Sequence, residues 1–359
     1  MKKLSSKILG TGSIVPTIRK ANSGFWQNEF YGKDLKKQTK TNENITQKFE
    51  EVAGIKARRV AKVGTKASNL GAAAAQLAIE DANIDPETLD YIIVAHNFGD
   101  VTSGGIQSDI LPNLAAKVKQ QLGIKKSSCV AYDILFGCPS WIQAFIQAEY
   151  YLRSGDVQRI LVVGADTVSR MTDPHDVDGM LFADGAGAVV VEAIEVEEEN
   201  PVGILAHLTV SDCVEEADYL KMGDSLNPDT EGEYIRMNGR GVFKYAVSTV
   251  PQAMHDCLAK ANLTIDDVHC FVIHQANLKM NKIIMKRLYE LNGRDSYPEE
   301  MMPMVVQELG NSSAATIPTV LDMIQKGELS DKKMKSGDIM VMASVGAGMH
   351  ANCVVYKFP

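Results

Sequence analysis

No stretch of the sequence approaches the ~18 consecutive apolar residues that a membrane-spanning helix needs. The opening Met1-Lys2-Lys3-Leu4-Ser5-Ser6-Lys7 carries charge but no apolar core of signal-peptide length. The expectation is a cytoplasmic protein. The six cysteines (129, 138, 213, 257, 270, 353) show no C-x-x-C and no paired spacing, so most read as small buried hydrophobes in a reducing compartment. The seven histidines form no H-E-x-x-H and no Cys/His cluster, which argues against a metal site. A formal net charge of −8 argues against bulk attraction to nucleic acid. What is present is ordinary globular material. The chain has 359 residues, 45% hydrophobic and 23% charged, enough for one large or two medium domains.

The sequence partly repeats itself. Residues 82–94 (ANIDPETLDYIIV) and 261–273 (ANLTIDDVHCFVI) share an Ala-Asn-aliphatic start, an acidic turn and an apolar strand, 179 residues apart. Gly137-Cys138-Pro139-Ser140, followed by a helical stretch, Ser154-Gly155-Asp156 and the strand ILVVGAD, matches Gly310-Asn311-Ser312-Ser313, followed by a helical stretch, Ser336-Gly337-Asp338 and IMVMASVG, 173 residues apart. These pairs predict a duplicated α/β unit with halves 1–195 and 196–359, joined at the acidic run 195–201. Leu70, Ala73, Ala74, Leu77 and Ala78 follow helical spacing, with Ser68 read as the cap. Apolar runs at 91–95, 160–165, 187–194, 270–273 and 338–343 read as buried strands.

Cys138 and Asn311 are equivalent positions of the two halves, each following a glycine at a strand-to-helix turn. Proline at 139 suits the first helical position, so Cys138 is expected beside a helix N-terminus, where free N–H groups and the dipole favour a thiolate. The competing reading is a buried structural cysteine. His274 ends the strand CFVI, and functional groups collect at strand C-termini in α/β sheets. Together the three supply a nucleophile, a proton or hydrogen-bond partner and an amide donor.

These residues resemble a known family. Gly137-Cys138, His274-Gln275-Ala276-Asn277 and Gly310-Asn311-Ser312-Ser313-Ala314-Ala315 resemble the Cys-His-Asn motifs of the β-ketoacyl-acyl-carrier-protein synthase III family. Ile8-Leu9-Gly10-Thr11-Gly12-Ser13, Gly54-Ile55-Lys56-Ala57-Arg58-Arg59 and Phe182-Ala183-Asp184-Gly185-Ala186-Gly187-Ala188 resemble further segments of it, from the N-terminus to the last strand. The resemblance implies the thiolase fold, an α/β protein whose duplicated halves form a five-layered α-β-α-β-α sandwich. It implies a Claisen-condensing enzyme of fatty-acid or secondary-lipid biosynthesis. In that chemistry Cys138 holds an acyl group as a thioester, and His274 and Asn311 bond the carbonyl of an extender thioester. The N–H of Cys138 and one from Gly346-Ala347-Gly348 form the oxyanion hole. No cofactor is implied beyond the phosphopantetheine of acyl carrier protein, or coenzyme A, as the carrier of the substrate. A non-catalytic partner subunit is the rival reading, opposed by the presence of all three residues.

The departures from the family bear on substrate. The adenine-stacking Trp falls on Lys48 and the Arg opposite it on Asp176, so the coenzyme A clamp is expected to be missing, unless another aromatic such as Phe49 replaces it. Phe136-Gly137-Cys138-Pro139-Ser140-Trp141 resembles the ketosynthases that build dialkylresorcinols and related pigment lipids. The segment 292–300 looks inserted, and Glu299 or Glu300 is either an extra base or part of a solvated loop. Lys279, Lys282 and Lys286 share a helix face beside Arg287 and read either as a docking face for an acidic carrier protein or as a solvated face. The resemblance also implies a homodimer, with the segment near Ile106, Leu111 and Pro112 reaching the partner's acyl pocket.

Overall fold

The computed structural model describes residues 2–105, 107–329 and 333–359. Ile106 lies outside the described residues. The first half runs β1 (Lys2–Ile14), α1 (Asn42–Ala53), α2 (Ala67–Ala82), β2 (Tyr91–Ala95), α3 (Leu114–Leu122), β3 (Val130–Ile134), α4 (Ser140–Ser154), β4 (Arg159–Thr167) and β5 (Asp184–Glu197). The second runs β6 (Gly203–Ser211), a hairpin of β7 (Leu220–Asp224) and β8 (Glu233–Met237), α5 (Gly239–Lys260), β9 (Cys270–Ile273), α6 (Leu278–Leu291), α7 (Thr316–Gln325), β10 (Ile339–Gly346) and β11 (His350–Lys357). All five apolar runs fall on strands, namely β2, β4, β5, β9 and β10.

The two large sheets repeat one another. The first has the order β1-β5-β4-β2-β3 and the second β6-β11-β10-β9. In each, the first three strands alternate antiparallel and the fourth lies parallel to the third. The first sheet adds β3, parallel to β2, as an edge strand. Three apolar clusters fill the spaces around them. One joins α4 and α7 to the facing sides of both sheets, through Trp141, Phe145, Ile317 and Leu321 among others. A second packs α2 and α3 on the outside of the first sheet. A third packs α5 and α6 on the outside of the second. The layering is therefore α-β-α-β-α, as the resemblance implies.

Helix α2 departs from the expected pattern in two ways. It starts at Ala67 after Lys66, and Ser68 sits inside the first turn, its Oγ donating to Asp100 Oδ2 (2.8 Å). Its buried face is Leu70, Gly71, Ala74, Ala75, Ala78 and Ile79, while Ala73 and Leu77 face outward. The cause is close approach. A Cβ on Gly12 of β1 would stand 2.4 Å from the Ala74 carbonyl, so the helix lies down on β1 and only small side chains fit beneath it.

Candidate active site

Cys138 follows β3 on a tight elbow. Gly137 has φ +65°, a left-handed conformation that costs glycine little. In the other half Gly310, before Asn311, has φ +74°. Both glycines have positive φ, but Gly310 follows a helical turn, Val306–Leu309, so the strand-to-helix expectation holds for Cys138 and is corrected for Asn311. Helix α4 starts at Ser140 with Pro139 at its cap, one position later than expected, and the Pro139 carbonyl accepts from Asn352 Nδ2 (3.0 Å). Cys138 precedes that cap and is buried, only 7% exposed.

The thiolate expectation needs correction. Burial, with Asp166 nearby, pushes the Cys138 thiol up to about 11. A donated bond from Ser313 and the N–H of Cys138 itself act the other way but do not offset it. Loss of solvent is the largest of these influences.

Cys138 and Asn311 meet through Ser313. The Ser313 hydroxyl donates to Cys138 Sγ (3.2 Å), and the Ser313 N–H donates to Asn311 Oδ1 (2.9 Å). With its oxygen engaged, the Asn311 amide has its Nδ2 hydrogens to offer a substrate. The Asn311 backbone is clamped to the Phe-Ala-Asp-Gly segment, its N–H donating to the Leu181 carbonyl (3.0 Å) and its carbonyl accepting from Ala183 N (2.8 Å).

His274 is buried at the end of β9. Its N–H donates to the Ala343 carbonyl (2.9 Å), and its carbonyl accepts from Asn281 Nδ2 (3.0 Å). Its Nδ1 finds no partner among the described residues, and burial pushes the imidazole down to about 4, so the ring is neutral. No hydrogen bond joins it to Cys138 or Asn311 among the described residues. The rest of His-Gln-Ala-Asn is structural. Gln275 Oε1 accepts from Val305 N (2.9 Å) and Val306 N (3.1 Å), pinning the segment that leads to Asn311. Asn277 caps α6 through Met280 N (3.1 Å).

The expected oxyanion loop abuts the nucleophile. A Cβ on Gly346 would stand 2.6 Å from Cys138 N, and one on Gly137 would stand 2.9 Å from Ala347 N. Gly348, at φ +79°, closes the turn of that loop. Phe136 stacks on His350 at 4.0 Å between centroids. Trp141 is fully buried, stacks on Phe145 (5.5 Å) and donates from Nε1 to the Val162 carbonyl (3.4 Å). That part of the Phe-Gly-Cys-Pro-x-Trp run therefore serves the core rather than a substrate.

A cavity of about 260 Å³ opens on Cys138. Beside Gly137, Cys138, Ser313 and Ala347, its wall includes Leu135, Val168, Phe182 and Ile235, with Leu220, Lys221 and Met222 from the β7 strand. It also includes His96 and Asn97, which the sequence reading missed. They follow the end of β2 as His274 and Gln275 follow β9, so the strand-end rule that singles out His274 would have found them. His96 Nδ1 accepts from Gly99 N (2.9 Å), so its Nε2 carries the hydrogen shared with Asp133 (2.8 Å).

The peripheral assignments divide. Lys279, Lys282, Lys286 and Arg287 all face solvent on α6. Lys282 pairs with Glu299 (2.8 Å) and Lys286 with Glu290 (3.6 Å), while Arg287 Nη1 donates to the Val247 carbonyl (2.8 Å). Glu299 and Glu300 face solvent and do not line the cavity, so the solvated-loop reading stands. Lys48 is exposed and pairs with Glu51 (3.0 Å). Asp176 lines a separate pocket together with Lys20 and Arg58. It is buried, accepts from Asp178 N (3.0 Å) and pairs with Arg236 (3.0 Å). Phe49 is buried in a cluster with Phe30 and Ile45 and is no surface platform. An exposed Trp26, whose Nε1 donates to Thr46 Oγ1 (3.2 Å), stands beside α1 instead.

Known proteins share this architecture. Residues 132–211 match the family described as 3-oxoacyl-[acyl-carrier-protein] synthase III, and residues 258–358 match the C-terminal part of the same family. A β-ketoacyl-[acyl-carrier-protein] synthase III of Staphylococcus saprophyticus is 37% identical over 311 residues, 86% of this chain and 89% of its own. One from Porphyra purpurea is 32% identical over 358 residues, 98% of both chains. Among solved structures, the 3-oxoacyl-[acyl-carrier-protein] synthase III of Aquifex aeolicus superposes with a TM-score of 0.78 at 32% identity, covering 98% of this chain and 100% of that one. The priming β-ketosynthase of the R1128 polyketide pathway gives 0.78 at 26%, covering 99% and 97%.

Proposed function

This chain belongs to the 3-oxoacyl-[acyl-carrier-protein] synthase III family of condensing acyltransferases, and we propose that Cys138 carries the acyl group while His274 and Asn311 activate the second thioester. In the first step the Cys138 sulfur attacks the carbonyl of an acyl thioester. The acyl–sulfur bond to the carrier breaks, and the released carrier thiol takes the proton Cys138 gives up. In the second step the extender's carbonyl accepts hydrogen bonds from the neutral His274 and from Asn311 Nδ2. These stabilise the enolate left when carbon dioxide departs, and its carbon attacks the acyl-Cys138. The bond between the acyl carbon and the Cys138 sulfur then breaks, the product leaves as a β-ketoacyl thioester, and the Cys138 thiolate takes a proton from water to regain its thiol. The N–H of Cys138 and one from Ala347 or Gly348 serve as oxyanion donors, each of the kind worth ~3 kcal/mol in acyl-transfer enzymes.

The observation that carries this reading is the bonded unit Cys138–Ser313–Asn311, of which Cys138 and Ser313 line a mainly apolar cavity. A neutral imidazole suits donation to a developing enolate better than a charged one suits such a dry place. We read the thioester carrier as acyl carrier protein, docking on the face of Lys279, Lys282 and Lys286. Lys279 supports this, since it has no ion pair among the described residues. The homodimer is part of the same reading, and β3 supports it. That strand is the open edge of the first sheet, with Val130 and Leu135 exposed beside it. Leu111 stands 89% exposed on the segment expected to reach the partner.

The test is incubation of the purified enzyme with a panel of acyl- and β-ketoacyl-carrier proteins and malonyl-carrier protein, read by intact mass and product mass spectrometry. A mass gain on Cys138 followed by a β-ketoacyl product supports the reading. A cyclised product from a β-ketoacyl and an acyl chain would place the enzyme in the pigment-lipid branch. No acylation from any donor would overturn the reading in favour of a non-catalytic partner.

A further inference from the structure

Behind the nucleophile lies a relay of polar groups for which the mechanism above has no use. Asp166, buried at 1% exposure near the end of β4, accepts three hydrogen bonds, from Asn97 N (2.9 Å), Asn97 Nδ2 (2.6 Å) and Ala314 N (3.2 Å). Asn97 Nδ2 donates a second bond, to Ser313 Oγ (2.8 Å). Both hydrogens of the Asn97 amide are thereby spent. The bond from Asn97 also occupies the acceptor side of the Ser313 oxygen, which leaves its own hydrogen free to point at Cys138 Sγ, 3.2 Å away.

Ser313 is held there against its backbone preference. It is a non-glycine residue at φ +54°, in a region that costs an ordinary side chain about 1–3 kcal/mol and persists only where the surroundings enforce it. Here they do so from both sides, the N–H through Asn311 Oδ1 and the hydroxyl through Asn97. The hydroxyl meets two groups, the Asn97 amide that donates to it and the sulfur to which it donates.

We propose that Ser313 is a further catalytic residue, the donor that stabilises the Cys138 thiolate as it forms, and that Asn97 and Asp166 are positioning residues that aim its hydroxyl. The proposal rests on the assignment of Cys138 as the acylated residue. The polar and charged groups about the sulfur come from four elements, one of them β7, whose Lys221 lines the same cavity. Ser313 comes from the loop before α7 and Asp166 from β4. His96, on the cavity wall after β2, has both ring nitrogens occupied. A hydrogen bond to a charged acceptor is roughly twice as strong as one to a neutral acceptor, so the donor favours thiolate over thiol.

The experiment measures the rate of Cys138 alkylation by iodoacetamide against pH, with the modified peptide identified by mass, in the wild type, Ser313→Gly, Ser313→Ala and Asn97→Ala. Melting temperature is recorded for each. Glycine is the informative variant because it tolerates φ +54° and keeps the N–H on Asn311 while losing the hydroxymethyl group, and alanine isolates the loss of the hydroxyl. The expected result is a folded Ser313→Gly protein that melts close to the wild-type temperature, since relief of the positive-φ strain offsets the acceptor lost to Asn97. Its alkylation midpoint should lie about one pH unit higher, and its rate at neutral pH should be about tenfold lower. Ser313→Ala should shift the midpoint equally, and Asn97→Ala in the same direction by less. A folded Ser313→Gly variant with an unchanged midpoint, while acyl transfer still maps to Cys138, overturns the Ser313 proposal alone. Acyl transfer mapping to another cysteine in the wild type overturns both.

Discussion

Three glycines separate backbone strain from steric contact, and they give a graded prediction. Gly64 has φ +84° and nothing within 4 Å of where a Cβ would stand, so Gly64→Ala meets strain alone. Gly346 has extended backbone, φ −170°, but a Cβ there would lie 2.6 Å from Cys138 N, so Gly346→Ala meets contact alone. Gly137 combines φ +65° with a Cβ 2.9 Å from Ala347 N and 3.0 Å from Ala347 O. Left-handed backbone costs an alanine about 1–2 kcal/mol, and forcing a methyl against backbone costs about 1–3 kcal/mol. Gly64→Ala is expected to lose ~1–2 kcal/mol and keep full activity. Gly346→Ala should lose ~1–3 kcal/mol and Gly137→Ala the sum, ~2–5 kcal/mol. Both should lose acylation by on the order of 10²-fold or more, since the Cys138 N–H and the 346–348 loop cannot hold their spacing. Urea unfolding gives the stabilities, and the burst of Cys138 acylation gives the activities. Wild-type acylation in Gly346→Ala would refute the argument, because the close approach at Cys138 N would then have no bearing on the chemistry.

Peptide mapping after exposure to an activated starter should find the added mass on Cys138, and label on Cys129 or Cys213 instead would sink the assignment. His274→Ala and Asn311→Ala should keep self-acylation and lose condensation by roughly 10²–10³-fold per donor, and either variant condensing at the wild-type rate would contradict the triad. His274, pushed down to about 4 from 6.5 by burial, binds its proton more readily when unfolded; stability should therefore fall as pH drops from 6.5 to 4, and His274→Ala should flatten that part of a Tm-against-pH curve. Acylation of Cys138 should be faster from an acyl carrier protein than from the same acyl group on coenzyme A; equal or faster transfer from coenzyme A would show that Trp26 or another group replaces the stack lost at Lys48.

Much of the fold is legible in the sequence because repetition and strand periodicity are local signals. The Ala-Asn-turn-strand pair places β2 and β9, and the glycine elbows place Cys138 and Asn311. What escapes the sequence depends on distance of approach. Helical spacing places Leu70, Ala74 and Ala78 correctly but puts Ala73 and Leu77 on the buried face of α2, because it does not reveal that Gly10 and Gly12 bring β1 beneath the helix. The pairing of Asp176 with Arg236 escapes as well, because nothing near Asp176 in sequence announces a residue sixty positions on. The thiol's state escapes for a related reason. The helix start is visible from Pro139, whereas burial of the sulfur comes from Ser313 and the 346–348 loop, both in the other half.

That division of labour has a physical consequence. The elbow that carries Cys138 comes from the first half and the residues that bond to it from the second, so the site exists only while the two halves stay docked. What docks them is the central layer, where α4 and α7 pack between the sheets through Trp141, Phe145, Ile317 and Leu321. Both helices begin at the site, α4 two residues after Cys138 and α7 three residues after Ser313. A loss of volume in that layer displaces the starts of two helices whose spacing sets the 3.2 Å contact between Ser313 Oγ and Cys138 Sγ. Core packing and nucleophile activation are for this reason one structural property, and the pseudo-symmetry that makes the halves alike in fold is what allows them to differ where they meet.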